Sequence, residues 1–310
     1  MKAIKKCLVT GGAGFIGSHL VERLIREGYE IVVIDNLSTG KKENLNPKAN
    51  FYKADICDLK ITQIFKKEKP DAVFHFAAQI NARKSIKEPI FDAKTNILGS
   101  LNVLENCRKY KVSKIIFASS GGEIYGEVKK LPIPETHFPF PQSPYGVGKL
   151  AIEKYLDSYF KIFHLPYISL RYGNVYGPRQ NPKSEAGVIA IFITKMLKNE
   201  QPIIYGDGNQ TKDYIFIDDA IEATLSSFKK RFRGILNVGT SQETSPNEIF
   251  WKLKRIVNEK CKKVYAPAPP TELKRVSLSI DLAKKVLKWK PRIDLDQGLI
   301  KTVNWYKSSY

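Results

Sequence analysis

Tyr145 and Lys149 stand four residues apart in Ser143-Pro-Tyr-Gly-Val-Gly-Lys149. On a helix that spacing brings both side chains to one face, about a turn from each other. Alone, the pair reads as an ordinary solvated i,i+4 contact. Beside a bound redox group it becomes an acid–base device. A free phenol ionises near pH 10, so a tyrosine that takes protons near neutrality must have its pKa lowered by about three units, or ~4 kcal/mol. The Lys149 ammonium is the nearest source of that stabilisation, and it needs no metal.

A partner for that chemistry is written near the N-terminus. Gly11-Gly-Ala-Gly14-Phe15-Ile16-Gly17 follows an apolar run directly and opens an amphipathic stretch through His19, Leu20, Leu24 and Ile25. Glycine at the tight turn and at the closest approach lets backbone N–H groups meet a pyrophosphate, which the positive helix end favours. The last glycine permits close helix-on-strand packing. The next strand ends in Asp35-Asn36, 18 residues beyond Gly17, where an acid holds the ribose hydroxyls of an adenosine. A carboxylate there repels a 2′-phosphate, so NAD is expected rather than NADP, although Lys41 and Lys42 soften the preference. The positive charge of an oxidised nicotinamide would then assist Lys149 in stabilising the Tyr145 phenolate.

The elements that must position these residues are legible as alternation. Cys7 to Thr10, Ile31 to Asp35, Asn50 to Lys53, Ala72 to Phe76, Lys114 to Ala118 and Tyr167 to Leu170 read as strands, with amphipathic helices between them. Runs that are apolar nearly throughout, such as Ile31-Val-Val-Ile, suit a parallel sheet covered on both faces. The fold class is α/β: a doubly wound, Rossmann-type parallel sheet with a smaller C-terminal substrate-binding region. Residues 1–176 form the expected dinucleotide-binding domain, with a return segment at about 214–240 that includes a strand over Ile235 to Val238. Gly/Pro-rich connections mark 177–213 and 241–310 as the substrate region. Ser143 is the expected N-cap and Pro144 the first residue of the helix carrying Tyr145, with Val147, Leu150, Ile152 and Leu156 supplying its buried surface.

Composition narrows the function classes. A chain of 310 residues with 43% hydrophobic and 26% charged residues buries enough apolar surface to fold without staples. Cys7, Cys57, Cys107 and Cys261 lie far apart without a CxxC pair, and His19, His75, His137 and His164 show no HExxH spacing; reduced thiols and no metal site are expected. The formal charge of +20 comes largely from lysines spread along the chain, which reads as a solvated surface rather than a nucleic-acid patch. The start runs directly into a strand, and no apolar run has the length to cross a bilayer. A cytoplasmic protein with no membrane partner is expected.

With these residues in hand, the chain resembles the extended short-chain dehydrogenase/reductase family, and within its epimerase/dehydratase branch the UDP-glucose 4-epimerases. The likeness spans nearly the whole chain. It is carried by Thr10-Gly-Gly-Ala-Gly-Phe-Ile-Gly-Ser18, Asp35-Asn-Leu-Ser-Thr39-Gly40, Asp55-Ile56, His75-Phe-Ala-Ala78, Ser119-Ser-Gly-Gly122, Tyr145-x-x-x-Lys149, Arg171-Tyr-Gly-Asn-Val-Tyr-Gly-Pro-Arg179 and Gly206-Asp-Gly-Asn-Gln-Thr-Lys-Asp-Tyr214. The resemblance implies that Asp55 and Ile56 border the adenine, that Phe76, Ala77 and Ala78 line the cofactor trough, and that Asn96 lies near the cofactor. It implies that Tyr145 takes the proton of the sugar C4 hydroxyl while NAD accepts the hydride, with Lys149 holding the nicotinamide ribose. Ser120, or failing it Ser119, would hydrogen-bond the same hydroxyl. It further implies a UDP-sugar substrate, with Asn174 on the diphosphate or sugar, Tyr205 near the uracil and Lys212 on a phosphate, and a homodimer through the helices carrying Asn96 and Tyr145.

Three departures bear on the implied function. The Ser-Ser-Gly-Gly-Glu stretch is one residue longer than the commonest form. Lys212 stands where arginine is usual, and Ala266 to Pro270 lacks a second arginine, for which Arg275 would compensate. Lysine binds phosphate as a point charge without the planar fork. The rival enzyme reading is a sugar-nucleotide 4,6-dehydratase, because Glu123 lies two before Tyr125; the aspartate that accompanies it in those relatives is replaced by Gly122. A catalytically silent NAD-binding or nucleic-acid-binding protein is the alternative outside enzymes, and joint retention of Tyr145, Lys149 and Ser120 speaks against silence.

Overall fold

A computed structural model of the chain describes residues 4–183, 187–268 and 273–309. Pro269 and Pro270, the end of the proline-rich segment without the expected arginine, lie outside the described residues. In chain order the elements are β1 (Lys6–Thr10), α1 (Phe15–Arg26), β2 (Glu30–Asp35), β3 (Asn50–Lys53), α2 (Ile61–Glu68), β4 (Ala72–His75), α3 (Ala82–Lys87), α4 (Pro89–Ala93), a π-helical turn (Lys94–Gly99), α5 (Ser100–Lys109), β5 (Lys114–Ser120) and α6 (Gly121–Ile124). They continue as α7 (Pro144–Phe163), β6 (Tyr167–Tyr172), β7 (Asn174–Tyr176), α8 (Val188–Leu197), β8 (Ile203–Tyr205), β9 (Tyr214–Phe216), α9 (Ile217–Lys229), β10 (Gly234–Val238), α10 (Pro246–Val257), β11 (Val264–Ala266), α11 (Asp281–Leu287) and α12 (Leu295–Ser309).

Among the described residues, seven strands form one sheet in the order β10-β6-β5-β4-β1-β2-β3. The chain is α/β and Rossmann-type, as the alternation predicts. β1 pairs in parallel with β2 on one side and β4 on the other, Thr10 facing Ile34 and His75. Strand order therefore reverses between β1 and β4, and the carboxyl ends of those strands open the crevice where such sheets bind ligands. The strand over Ile235 to Val238 does return to this sheet, as its edge next to β6. β1, β4 and most of β2 and β5 are buried along their length, which their near-continuous apolar sequences require.

Two compact units divide the chain. Unit 1 is Met1–Ser120, Ser143–Arg171 and Thr224–Leu236; unit 2 is Gly121–Gln142, Tyr172–Ala223 and Asn237–Tyr310. Sequence boundaries kept 121–142 and 172–176 in the first region and gave it a return segment at about 214–240. The units differ from that, because Tyr125 and Ile133 share an apolar cluster with Leu273, Val276 and Leu278, far along the chain. Within unit 2, β7 pairs with β9 and β8 with β11. Buried Asp213 ties the surrounding loops, accepting bonds from the Thr240 N–H and hydroxyl and from the Ser241 and Leu278 N–H groups. Among the described residues, no helix is long and apolar enough to cross a membrane.

The loop from β1 to α1 shows why its glycines are needed. Gly11 has φ +73°, in the left-handed region where a side chain is strained. At Gly17 a Cβ would stand 2.1 Å from the Gly11 carbonyl oxygen, so α1 sits directly on the turn that precedes it. Gly17→Ala is expected to lower unfolding free energy in urea by about 1–3 kcal/mol through overpacking, and to weaken NAD binding. A loss below about 0.5 kcal/mol with unchanged NAD affinity would contradict this packing account.

Candidate active site

The helix carrying Tyr145 and Lys149 begins where its caps dictate. Pro144 is its first residue, and the Ser143 hydroxyl accepts a bond from the Gly146 N–H at 3.2 Å. Ile152 and Leu156 are buried as expected, but the rest of its buried face differs from the apolar one expected. Val147 is 49% exposed and Leu150 only half-buried; the buried residues are Gly146, Gly148, Lys149, Ile152, Glu153 and Leu156. The reason is close helix contact. A Cβ on Gly148 would lie 3.3 Å from the Asn96 Cβ and 3.6 Å from Asp92 Oδ2, so the neighbouring segment approaches α7 over a small residue. Tyr145 is half-buried, and its N–H donates to the Ser85 hydroxyl.

Lys149 is 4% exposed. Its Nζ donates to the Ala118 carbonyl at 2.8 Å and stands 4.8 Å from the Phe117 ring centroid and 5.7 Å from that of Tyr145. Burial pushes its pKa down to about 8, and the carboxylates of Asp92 and Glu153 oppose that fall. Phe117 and Ala118 lie in the carboxyl-terminal half of β5, and Phe117 is in register with His75 at the end of β4. The ammonium thus sits at the same carboxyl end of the sheet from which the glycine loop leaves β1.

A chain of hydrogen bonds ties that end together. The Ser100 hydroxyl donates to the Asn96 carbonyl at 2.7 Å and lies 2.8 Å from His75 Nε2, while His75 Nδ1 lies 2.7 Å from the Thr10 hydroxyl. The Thr10 oxygen accepts the Phe76 and Ala77 N–H groups at 3.2 Å each. One assignment of protons satisfies every partner: Thr10 donates to Nδ1, and Nε2–H donates to Ser100. The imidazole is neutral in that arrangement, and burial with the nearby Lys149 charge pushes its pKa down to about 3.

The dinucleotide features fit the group they were read for. Gly14 caps α1 without a capping side chain, and the first turn holds no acid, so neither the cap residue nor the first turn supplies a carboxylate to compete for its N–H groups. Asp35 accepts the Ala13 N–H on Oδ2 and the Leu37 N–H on Oδ1, leaving each oxygen a lone pair for a ribose hydroxyl. Asn36 donates to Asp55, whose other oxygen accepts the Cys57 N–H, with Ile56 buried between them. Gly40 lies against Ala13, and Thr39 is exposed beside it. Phe76, Ala77 and Ala78 are half-buried just past β4. Asn96 is turned to the protein instead: its Oδ1 accepts the Gln79 N–H, and its Nδ2 donates to the Gln79 carbonyl and to Asp92.

The two serines at the end of β5 are distinguished by their surroundings. Ser119 is buried and its hydroxyl donates to Glu153 Oε1 at 2.8 Å, whereas Ser120 is half-buried at the strand terminus. Glu153 and Asp92 escaped the sequence reading. A signal for Glu153 exists in its place four residues beyond Lys149, which reads as an exposed i,i+4 pair unless the helix is known to be covered.

In unit 2, Asn174 is exposed at the start of β7 and Tyr205 is 40% exposed at the end of β8. Lys212 Nζ donates to the Leu273 carbonyl at 3.0 Å. Arg275 is held by Glu243: its Nε donates at 2.7 Å and a second guanidinium nitrogen bonds the other oxygen. This pairing commits the Arg275 guanidinium to Glu243.

The model of the NAD dependent epimerase/dehydratase family matches residues 7–239. The UDP-glucose 4-epimerase of Mycolicibacterium smegmatis is 39% identical, over 98% of this chain and 99% of its own. The UDP-glucose 4-epimerase of Thermotoga maritima, solved with UDP-glucose, superposes with a TM-score of 0.96 at 46% identity, covering 98% of this chain and 99% of that one. The Thermus thermophilus UDP-glucose 4-epimerase, solved with NAD, gives 0.95 at 40% identity over 98% and 100%. A match over residues 7–239, a span that includes the glycine loop and the Tyr/Lys helix described above, makes this protein a member of the NAD dependent epimerase/dehydratase family.

Proposed function

We propose that the protein inverts C4 of a UDP-hexose of the UDP-glucose/UDP-galactose type through a transient 4-keto sugar, with NAD as its resident cofactor. The observation that carries this reading is the placement of Lys149, anchored on the Ala118 carbonyl with Tyr145 beside it, at the strand ends that the glycine loop leaves. Full-length likeness to epimerases solved with NAD and with UDP-glucose supports it.

NAD, when bound, accepts a hydride from C4 and later returns it. The residues of the chain handle the rest. Tyr145, as phenolate, takes the C4 hydroxyl proton as hydride leaves the same carbon, so the sugar becomes a ketone by losing one proton and one hydride, the hydride carrying both electrons. Lys149 stabilises the phenolate and holds the nicotinamide ribose. Ser120 hydrogen-bonds the hydroxyl; Ser119, whose hydroxyl is committed to Glu153, is the poorer candidate. After the ketone turns over, Tyr145 returns its proton as hydride adds to the opposite face. Gly11, Gly14, Phe15, Ile16 and Gly17 serve the pyrophosphate, and Asp35 the ribose. Asn174, Tyr205 and Lys212 serve the UDP end. Elimination of water is the weaker reading, because Gly122 offers no proton donor beside Glu123.

The protein is further proposed to be a cytoplasmic homodimer. α4, the π turn and α7 expose Ile90 (84%), Leu98 (61%), Val147 (49%) and Ile162 (64%), apolar side chains that burial against a second copy would remove from water.

Incubation with UDP-glucose is expected to yield UDP-galactose, followed by NMR, with no 4-keto-6-deoxy product; an unchanged substrate pool across a panel of UDP-hexoses would refute the reading. Tyr145→Phe is expected to cut kcat by at least about 100-fold while NAD stays bound. On the alkaline side, deprotonation of Lys149 removes the charge that favours the phenolate. Activity should therefore fall as pH rises through about 8, and this limb should be absent from the residual activity of Lys149→Met. Light scattering of the intact protein should give a dimer mass, and a monomer at micromolar concentration would oppose the proposed assembly.

A further inference from the structure

The Glu153 carboxylate, one turn beyond Lys149 on α7, is 2% exposed and takes part in four hydrogen bonds from three residues. Oε1 accepts the Ser119 hydroxyl at 2.8 Å, the Ser169 hydroxyl at 2.9 Å and the Arg171 Nε–H at 3.0 Å; Oε2 accepts the Arg171 Nη2–H. Ser119 lies on β5 immediately before Ser120, and Ser169 and Arg171 lie on β6. A single buried carboxylate thus joins the helix of Tyr145 and Lys149 to the two strands it covers.

Stability alone does not call for such a group. Two buried charges cost several kcal/mol each to desolvate, and apolar pairs of equal volume often pack at least as well. What the pair does provide is register. Hydroxyl and guanidinium donors have directions, so α7 cannot slide along or roll on β5 and β6 without breaking charge-assisted bonds. The Lys149 Nζ to Ala118 carbonyl bond depends on that register, since Ala118 directly precedes Ser119.

We infer that Glu153 is a positioning residue of the reaction: it sets α7 against β5 so that Tyr145, Lys149 and Ser120 keep their mutual geometry, and it helps hold Lys149 as the ammonium. The inference rests on the reading of Tyr145 and Lys149 given above. The groups that act on Lys149 are Asp92 from α4, Tyr145 and Glu153 from α7, and neutral His75 from β4, with Arg171 on β6 acting through Glu153. Among them Asp92 and Glu153 supply the negative charge, so loss of Glu153 makes the ammonium easier to deprotonate.

The test compares Glu153→Gln, the charge-balanced Glu153→Gln/Arg171→Gln, and Ser119→Ala in the NAD-loaded enzyme, reading kcat, KM for UDP-glucose, the alkaline limb of the pH profile and Tm. Glu153→Gln is expected to lose kcat 10- to 100-fold with KM within about twofold, and its alkaline limb moves to lower pH. The double variant removes the unpaired Arg171 charge and recovers Tm, but kcat stays at least tenfold low. Recovery of kcat together with Tm, with the limb unmoved, would show Glu153 to be only the counter-ion of Arg171 and overturn the inference. Should neither glutamate variant fold, Ser119→Ala decides. A three- to tenfold loss of kcat at unchanged KM supports the tether, and wild-type kcat overturns it. Tyr145→Phe is measured alongside. Turnover surviving in that variant overturns the Tyr145 reading itself, whereas an inactive Tyr145→Phe beside a wild-type-like Glu153→Gln overturns this inference alone.

Discussion

The site depends on keeping one positive charge where a fold would ordinarily exclude it. Lys149 is buried at the carboxyl end of β5, and removing an ammonium from water is costly enough to pull its pKa down to about 8. Three features offset that cost: the Ala118 carbonyl that accepts its hydrogen bond, and the carboxylates of Asp92 and Glu153. A charge held this way acts on a neighbouring group more strongly than one in bulk water, and the Tyr145 ring centroid stands 5.7 Å from it.

The surrounding architecture follows from that requirement. Glycine at position 148 lets the segment carrying Asp92 and Asn96 approach α7, and the π turn over Lys94–Gly99 sets Asn96 inward. Asn96 and Gln79 then hold the Asp92 carboxylate from the far side, and the backbone of Gln79 is fixed in return. Through Ser100, His75 and Thr10 the same network continues to the turn that starts the glycine loop. Hydrogen bonds thus run from the turn that starts the glycine loop to the segment packed against α7, and a polar network satisfied in this way rigidifies what it joins.

What the sequence revealed depended on how local the physics was. The glycine loop, Asp35, the Ser143-Pro144 cap and the i,i+4 spacing of Tyr145 and Lys149 are short-range patterns, and the strand alternation reports burial residue by residue; all were readable. The buried face of α7 was readable only in part, at Ile152 and Leu156. Apolar periodicity pointed to Val147, but that face is chosen by the small size of Gly146 and Gly148 and by two charges whose partners are distant in sequence. Glu153 was hidden for the same reason, since its pairing with Arg171 and Ser119 exists only once α7 covers β5 and β6. The boundary near residue 121 and the pairing of Arg275 with Glu243 likewise arise from contacts that no short window contains.

The central claim is that the buried ammonium favours the phenolate of Tyr145 and so lowers its pKa, and an ultraviolet titration of the tyrosinate band in the NAD-loaded enzyme addresses it directly. The account predicts one phenol that ionises well below the ordinary value near 10, that vanishes in Tyr145→Phe, and that moves back toward the ordinary value in Lys149→Met. A Tyr145 signal near pH 10 in the intact protein, indifferent to Lys149, would contradict it.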